Sequence, residues 1–349
     1  MPFRITNMKS SKLTIKDMAK KAGVSVATIS RAMEPHTRPK VAPHTLKRID
    51  ALIKKYGYTT NLAAKHLRQT VTKTIGIVFP YVPGIFYSEY YTHILAGVTE
   101  YLLETDYRFK MLLLKEGSWW DDYNFQAGEG VDGLIIVHWF KIFSNQGALQ
   151  RVDVPYVLIN DFDPQIKAQF VAADQVLGGR LAAEYLYTNG HRQMAVLTGP
   201  AWSVDSRLRL EGFKGFLKEK GIVLAEDLVK EAGYLEHQAY ESAMGLIKNE
   251  KRITAIFCCN DQMAFGVLRR LKDLGLECPK DISLLGYDDE LRASLCTPSL
   301  TTIRVDIVHL AKEAARIILS NLKSIDNKEF TTFLSQPTLI ERQSVKKIN

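Results

Sequence analysis

The sequence contains little cysteine and no long apolar run, and these absences exclude several classes of protein. Its four cysteines lie within the last hundred of 349 residues, without CxxC spacing and without a nearby histidine at the spacing of metal ligands. No apolar run approaches the roughly 20 residues of a membrane-spanning helix, and residues 1–12 do not resemble a secretory signal. We therefore expect reduced thiols, no bound metal, no membrane association and a cytoplasmic location.

The sequence also lacks the common motifs of catalysis and cofactor binding. No P-loop, HExxH or GxSxG is present, and the eight histidines are scattered. Residues 128–133, GEGVDG, match the pattern GxGxxG, but they precede a predicted strand instead of joining a strand to a helix. No helix N-terminus would then face a pyrophosphate. We expect neither an enzyme nor a cofactor.

Charge is distributed unevenly along the chain. Residues 1–73 carry 16 Lys or Arg against three acids, a formal charge of +13, whereas residues 74–349 carry 30 against 35, a charge of −5. A basic N-terminal part on a mildly acidic body is typical of a protein that binds the phosphate backbone of nucleic acid. A basic stretch is also a common solvated surface, so this assignment depends on the fold of the segment.

The basic segment has the helix pattern of a helix-turn-helix. Thr14 is placed to cap a first helix that ends before Gly23, and Ser25 caps a second helix that runs through Met33. Only Gly23 and Val24 connect the two helices, which predicts the tight turn of this motif. A third amphipathic helix is predicted over residues 43–56. The alternative is a small helical bundle whose basic surface is incidental.

In a helix-turn-helix the second helix enters the major groove, with its N-terminal residues at the base edges. Arg31 could then reach a guanine or a phosphate, whereas apolar side chains could contact a thymine methyl group. The candidate DNA-contacting residues of this segment are Thr14, Ser25, Val26, Ala27, Thr28, Ser30 and Arg31.

From residue 74 onward, short apolar segments alternate with amphipathic helical segments, which predicts parallel α/β sheets. The predicted strands are residues 74–79, 109–114, 133–137, 156–159, 194–197, 255–258 and 283–286. Seven or more strands with intervening helices suit two doubly wound lobes. Ligands of open α/β sheets bind at the carboxyl ends of the strands, so we expect a ligand cleft between the lobes.

Sequence blocks along nearly the whole chain resemble the lactose-repressor (LacI) family. These blocks include TIKDMAKKAGVSVATISRAM, YGYTTNLAAKHLR, TIGIVFP, RLRLEGF, CNDQMAFGVLRRL and DISLLGYDD, in the order of the family. The resemblance implies an α/β regulator with a three-helix helix-turn-helix head (1–58), a hinge helix and linker (59–73) and a two-lobed, periplasmic-binding-protein-like effector and dimerisation domain (74–349). It also implies a hinge helix that folds in the minor groove, where Leu67 would wedge between bases beside Asn61 and Ala64.

The family resemblance further points to the effector site. The candidate residues are Phe86, Tyr87, Asn160, Arg209, Tyr234, Asn260 and Asp288. Amide, carboxylate and guanidinium groups form paired hydrogen bonds with hydroxyl-rich ligands, and an aromatic ring can stack on them. Structural roles are the alternatives: Asp288 as a helix cap, Arg209 in a surface ion pair and Tyr234 in the core.

The resemblance implies a homodimer that binds a palindromic double-stranded DNA operator and responds to a small molecule, for which we expect a sugar. The sequence ends without the leucine-heptad tail of tetrameric relatives, which favours the dimer. A solute-binding protein would share the two lobes but not the basic head. A sugar-processing enzyme would need paired carboxylates that the sequence does not reveal.

Overall fold

A computed structural model describes residues 15–33, 38–56, 71–81, 85–114, 130–139, 149, 152, 154–163, 165–248, 253–323 and 332–348. The chain divides into two compact units, Met1–Thr72 and Lys73–Asn349. Within the described residues, no helix is both long and apolar enough to cross a membrane.

The smaller unit contains three helices, as the sequence predicts. They are α1 (Ile15–Ala22), α2 (Val26–Met33) and α3 (Pro43–Tyr56), with a 3-10 turn at Arg38–Lys40. Met18, Ile29 and Ile49, one from each helix, are fully buried and form the centre of its core. This small core holds the three helices together through their apolar faces.

The turn between α1 and α2 has the predicted chemistry. Gly23 adopts a positive φ of 59°, which a residue with a side chain rarely adopts. Ser25 Oγ accepts a hydrogen bond of 3.1 Å from the backbone N–H of Thr28, as a helix cap does. The other predicted features of this segment, the cap at Thr14 and the hinge helix with Asn61, Ala64 and Leu67, lie outside the described residues.

Arg38 joins two helices in a way that the sequence does not predict. Its guanidinium donates to the backbone carbonyl of Ala32 at 2.7 Å and to Asp50 Oδ2 at 2.6 Å. The first bond satisfies a carbonyl in the last turn of α2, and the second reaches α3. The 3-10 turn therefore fixes the end of α2 against α3.

The larger unit contains two six-stranded sheets. The strands are β1 (Thr74–Pro80), β2 (Arg108–Leu114), β3 (Gly133–Val137), β4 (Tyr156–Ile159), β5 (Phe170–Ala173), β6 (Met194–Thr198), β7 (Val229–Glu231), β8 (Ala255–Cys258), β9 (Ser283–Asp288), β10 (Thr301–Arg304), β11 (Thr332–Ser335) and β12 (Thr338–Ile340). The first sheet has the order β11-β5-β4-β3-β1-β2 and is parallel throughout, and the second has the order β12-β10-β9-β8-β6-β7, with only β12 antiparallel.

The helices of this unit cover both sheets. They are α4 (Glu89–Leu102), α5 (Gln175–Thr188), α6 (Val204–Glu219), α7 (Glu236–Ile247), α8 (Asp261–Asp273), α9 (Leu291–Leu295) and α10 (Ile307–Lys323). The parallel strands are nearly continuous apolar runs, such as the fully buried Gly133–Val137, because helices cover both faces of such a sheet. The predicted two-lobed α/β architecture is confirmed.

The chain passes between the lobes three times. It crosses after β5, between β10 and α10, and between β11 and β12. Helix α10 follows a strand of the second sheet, yet it packs on α4 and on β3, β4 and β5 of the first. At one crossing the backbone N–H of Asp174 donates to the carbonyl of Ser335 at 2.9 Å. Two connecting segments therefore lie side by side, and the lobes share one set of connections.

Close packing of α5 on α6 requires glycine. A Cβ on Gly179 would lie 1.9 Å from the carbonyl oxygen of Arg209, and a Cβ on Gly212 would lie 1.9 Å from that of Val176. Neither backbone atom can move without displacing its helix. The two glycines therefore fix how closely α5 approaches the helix that carries Arg209.

Candidate functional site

The carboxyl ends of strands from both sheets border a cavity of about 500 Å³. His138 follows β3, Asn260 follows β8 and Asp288 ends β9, which is where open α/β sheets bind ligands. Both sheets thus contribute polar side chains to one cleft between the lobes. The lining is Ile85, Tyr87, Ser88, Tyr90, Tyr91, His138, Pro200, Trp202, Asp205, Arg209, Glu231, Gly233, Tyr234, Leu235, Glu236, Gln238, Asn260, Gln262 and Asp288.

Arg209 is a buried anchor at this cavity and not a surface residue. Its Nε donates to Gln175 Oε1 at 2.7 Å, its Nη1 donates to the carbonyl of Cys259, and its guanidinium stacks 3.7 Å from the ring centroid of Tyr287. Burial acts to lower the pKa of the guanidinium, but the combined effect of Asp288 and the other acidic groups around it, Asp205 among them, outweighs burial and holds the pKa above its usual range. The side chain is therefore held rigidly at the cavity wall.

Asp288 pairs with this guanidinium, with Oδ1 3.6 Å from Arg209 Nη1. It is not the cap of the following helix, because Glu290 occupies that position. Its φ of 108° is rare for a residue with a side chain, and such strain is often found at binding sites. Burial raises the pKa of Asp288 to about 6, although Arg209 opposes the shift.

Tyr234 and Asn260 form another wall of the cavity. The hydroxyl groups of Tyr234 and Ser203 lie 3.0 Å apart, and the ring of Tyr234 rests where a Cβ on Gly199 would be. Asn260 caps α8, since its Oδ1 accepts from the backbone N–H of Met263 at 2.9 Å. Its Nδ2 donates to the carbonyl of Tyr234 at 3.3 Å, so the two residues position each other.

The remaining predicted effector residues lie at different depths. Tyr87 lines the cavity and is 92% exposed, at its rim. Phe86 is not among the lining residues and packs edge-on against Phe79 at 6.1 Å. Asn160 is buried behind the lining, where its Nδ2 donates to the hydroxyl of Tyr90 at 2.7 Å. Five predicted residues therefore border the cavity: Tyr87, Arg209, Tyr234, Asn260 and Asp288.

Sequence reasoning missed a buried acidic cluster beside Arg209. His138 Nδ1 lies 3.3 Å from Asp161 Oδ2, and the backbone N–H of Asp161 donates to Asp205 Oδ1 at 3.1 Å. His138 and Asp205 line the cavity, and Asp161 lies behind them, fully buried. His138 and Asp161 follow predicted strands, and Asp205 precedes Arg209 by one helical turn, so strand ends and helix periodicity were the available signals.

The protonation of this cluster is perturbed. Burial, followed by the charge of Asp161, raises the pKa of Asp205 to about 6, while Arg209 and His138 oppose the rise. Burial acts to lower the pKa of His138, but the charge and hydrogen bond of Asp161 outweigh it and the pKa is raised. The two carboxylates repel each other, so the cluster favours bound positive charge.

The same three residues form the one group within the described part of the chain that has the spacing of metal ligands. One ligand atom from each of His138, Asp161 and Asp205 lies within 4.8 Å of the others. One imidazole and two carboxylates are donors that suit divalent ions such as Zn²⁺ or Mn²⁺. The same two carboxylates would also attract an organic cation.

In the smaller unit, the predicted DNA-contacting residues differ in exposure. Ser25, Ala27, Ser30 and Arg31 are exposed at the start and along the outer face of α2. Val26 and Thr28 are half-buried, and Val26 packs against the core of the unit. The outer face of α2 is therefore small, polar and basic, as a helix that enters a groove requires.

Comparison with known proteins places both units in one family. Residues 14–61 match the family model described as bacterial regulatory proteins, lacI family, and residues 183–345 match a periplasmic binding protein-like domain. The HTH-type transcriptional repressor PurR of Vibrio vulnificus is 32% identical over 341 residues, which cover 96% of this chain and 99% of that protein. PurR of Haemophilus influenzae is 30% identical over 339 residues, which cover 96% and 99% of the two chains.

Solved structures agree with this assignment. A complex of the transcriptional regulator CelR with cellobiose superposes with a TM-score of 0.73 at 25% identity, over 95% of this chain and 99% of that one. The lac repressor dimer bound to operator and the anti-inducer ONPF gives a TM-score of 0.80 at 24% identity, over 96% and 100%. The similarity to the lac repressor, at 24% identity, is a similarity of fold.

The chain belongs to the lacI family of bacterial regulatory proteins. It is a DNA-binding transcriptional repressor with a ligand-binding domain, and it is not an enzyme. Repressors of this family bind operator DNA and small-molecule effectors and act as dimers.

Proposed function

We propose that this repressor acts in the cytoplasm as a homodimer on a palindromic operator and that a sugar or sugar derivative in the cavity between the lobes controls it. The side chains that line the cavity are the main support for this proposal. It combines a fixed guanidinium, amide and carboxylate groups with aromatic walls, which is the chemistry that orients hydroxyl-rich ligands.

We assign residues 1–58 to the DNA-binding domain, 59–73 to the hinge and linker, and 74–349 to effector binding and dimerisation. The outer face of α2 reads the major groove, and the basic charge of residues 1–73 supplies sequence-independent affinity for phosphate. A two-fold dimer matches a palindrome because each head reads one half-site. The DNA-contacting residues are Thr14, Ser25, Val26, Ala27, Thr28, Ser30 and Arg31, with Asn61, Ala64 and Leu67 of the hinge.

In the effector site, Arg209 and Asp288 form hydrogen bonds with ligand hydroxyl groups, Asn260 adds an amide, and Tyr234 and Tyr87 pack against the ring. Asn160 supports this surface through Tyr90, and Phe86 supports it through Phe79. A ligand that contacts both lobes stabilises the closed cleft, which reorients one lobe on the other through the three crossing segments. By linkage, the ligand changes the free energy of DNA binding by the difference between its own binding free energies to the DNA-bound and the DNA-free protein.

The test is ligand binding by the full chain, followed by operator binding with the same ligands. Isothermal titration with a sugar panel should find one member that binds, and Arg209→Met should abolish that binding while leaving operator affinity unchanged. The exposed Arg207→Met on the same helix is the matched control. Binding of every sugar unchanged in Arg209→Met would contradict the site.

The aromatic walls favour one other effector class. Tyr90 and Trp202 border the cavity and would also stack on a flat heterocycle such as a purine base. The panel therefore includes purine bases and nucleosides. If these compounds bind and no sugar does, the protein remains a ligand-controlled regulator, but its effector is a purine compound instead of a sugar.

A further inference from the structure

The ionised groups at the cavity are not balanced. Arg209 is matched by Asp288 at 3.6 Å, and His138 faces Asp161 at 3.3 Å. Asp205 lines the cavity and is only 2% exposed, yet within the described residues no Lys, Arg or His lies within ion-pair distance of its carboxylate. Arg209 and His138 act on Asp205 only from beyond that distance. A buried carboxylate with no cation in direct contact is costly, so this position favours a ligand that supplies positive charge.

Aromatic side chains lie around the same part of the cavity. Tyr90, Tyr91 and Trp202 are lining residues, and the Tyr90 ring stacks on His138 with centroids 5.2 Å apart. Trp202 approaches the same imidazole edge-on at 6.1 Å. The faces of aromatic rings attract cations, and the attraction is strongest where water is excluded. Carboxylate and aromatic rings together form the usual environment of a bound ammonium group.

The lining offers little to an anion. Of the described lining residues, only Arg209 and His138 carry cationic side chains, and both face carboxylates. Glu231 and Glu236 add further acids, and Glu236 already pairs with Arg292 at 2.6 Å. A phosphate group would lose its hydration and find no unmatched cation among these residues. The cavity therefore disfavours phosphorylated sugars.

Resting on the proposed function, we propose that the effector is an amino sugar whose protonated amine binds Asp205 among the aromatic side chains of the cavity. The ring hydroxyls then face Arg209, Asn260 and Asp288, which lie on the same lobe as Asp205, while Tyr90 and Tyr91 contact the ligand from the other lobe. Asp205 is the specificity-determining residue, because it distinguishes a protonated amine from the hydroxyl or acetamide group at the same ring position.

The experiment is a matched ligand series titrated into the full chain by calorimetry at pH 7. Glucosamine, galactosamine, mannosamine and the disaccharide of glucosamine are each compared with the parent sugar, the N-acetyl derivative and the 6-phosphate. One amine should bind at least about tenfold more tightly than its three counterparts, as a charge-assisted hydrogen bond provides. This comparison uses only the wild-type protein, so it does not depend on a variant folding.

The variant arm assigns the preference to one residue. Asp205→Asn retains an oxygen that can accept from the backbone N–H of Asp161, so the fold should persist, while the preference for the amine should fall at least about tenfold. Glu211→Gln, on the exposed side of the same helix, should retain the preference. Thermal melting and operator binding of both variants check their folding.

Five results would overturn the proposal. A parent or N-acetyl sugar that binds as tightly as the amine removes its basis, and so does tight binding of a 6-phosphate. If a neutral sugar binds and no amine does, the proposed function stands and this inference fails; if no sugar binds, both fail. If Zn²⁺ or Mn²⁺ alone binds one per protomer, and both His138→Ala and Asp205→Asn abolish this, the acidic cluster is a metal site instead.

Discussion

The Arg209–Asp288 pair allows the sharpest prediction about the cavity, because both side chains are largely shielded from solvent and the two form an ion pair. The side chains are 7% and 14% exposed, and the closest charged atoms lie 3.6 Å apart. Arg209→Met leaves Asp288 as a buried charge without a partner, which costs about 3–5 kcal/mol of unfolding free energy. It also removes the bond to the carbonyl of Cys259 and one of the two bonds that Gln175 Oε1 accepts, since the hydroxyl of Tyr287 still donates to that oxygen.

Asp288→Asn removes the charge and leaves Arg209 with its other partners, so a smaller loss of about 1–3 kcal/mol is expected. In the double variant no isolated charge remains. The sum of the losses of unfolding free energy in the two single variants should therefore exceed the loss in the double variant by about 1–3 kcal/mol. Arg209→Met should remain the more damaging change, since the bonds to Gln175 and Cys259 are lost in either background.

The assay is urea unfolding of the four proteins at pH 8 and one fixed protein concentration, since dimers gain stability with concentration. Burial raises the pKa of Asp288 to about 6, so the carboxyl is charged at pH 8 and increasingly protonated below pH 6. The coupling should therefore shrink when the cycle is repeated at pH 5. Losses that add within about 0.5 kcal/mol at pH 8 would refute the pairing.

Three further predictions concern other parts of the molecule. Burial, followed by the charge of Asp288, raises the pKa of Glu290 to about 8, so the folded state retains a proton that the unfolded chain releases. Stability should therefore fall as pH rises from about 4.5 through 8. Between pH 6 and pH 9 the melting temperature should decline less for Glu290→Gln than for the wild type, and an equal decline would refute the assignment. Gly179→Ala should lower stability by more than about 2 kcal/mol, because its Cβ would lie 1.9 Å from a backbone oxygen. Gly215 has open space around it, so Gly215→Ala should raise stability by up to about 1 kcal/mol. Equal melting temperatures for the two variants would contradict this packing. Arg31→Ala should weaken operator binding roughly tenfold. If Arg31 contacts a phosphate, gel shifts at several salt concentrations would show that the affinity of the variant depends less steeply on salt than that of the wild type. Unchanged affinity would exclude Arg31 from the interface.

The sequence predicted the elements whose signals are local. Residues 133–137 form a continuous apolar run, and the structure has a buried strand there. The cap at Ser25 and the turn at Gly23 were also predictable, because each depends on one residue and its immediate neighbours. Five of the described strands were not predicted, and each has only three or four residues. Val229–Glu231, for example, has three residues, two of them exposed, and so no apolar pattern.

The features that the sequence could not reveal depend on contacts between distant residues. Asp161 and Asp205 are 44 positions apart, and their proximity follows from the packing of two lobes that the chain crosses three times. No residue pattern marks the crossing between β10 and α10, so the switch of α10 to the first lobe was not predictable. Arg38 likewise reaches Ala32 and Asp50 through a turn whose shape its sequence does not specify.

A gel shift of the purified chain on palindromic DNA from its own upstream intergenic region, at several salt concentrations and with and without the sugar series, tests operator binding and effector control together. We expect a specific, salt-sensitive complex whose stability one amino sugar changes at a concentration near its calorimetric Kd. The Arg209→Met variant should form the same complex without responding to that sugar. The absence of a specific complex on any such palindrome, or a complex that no ligand of the cavity alters, would contradict the proposed function.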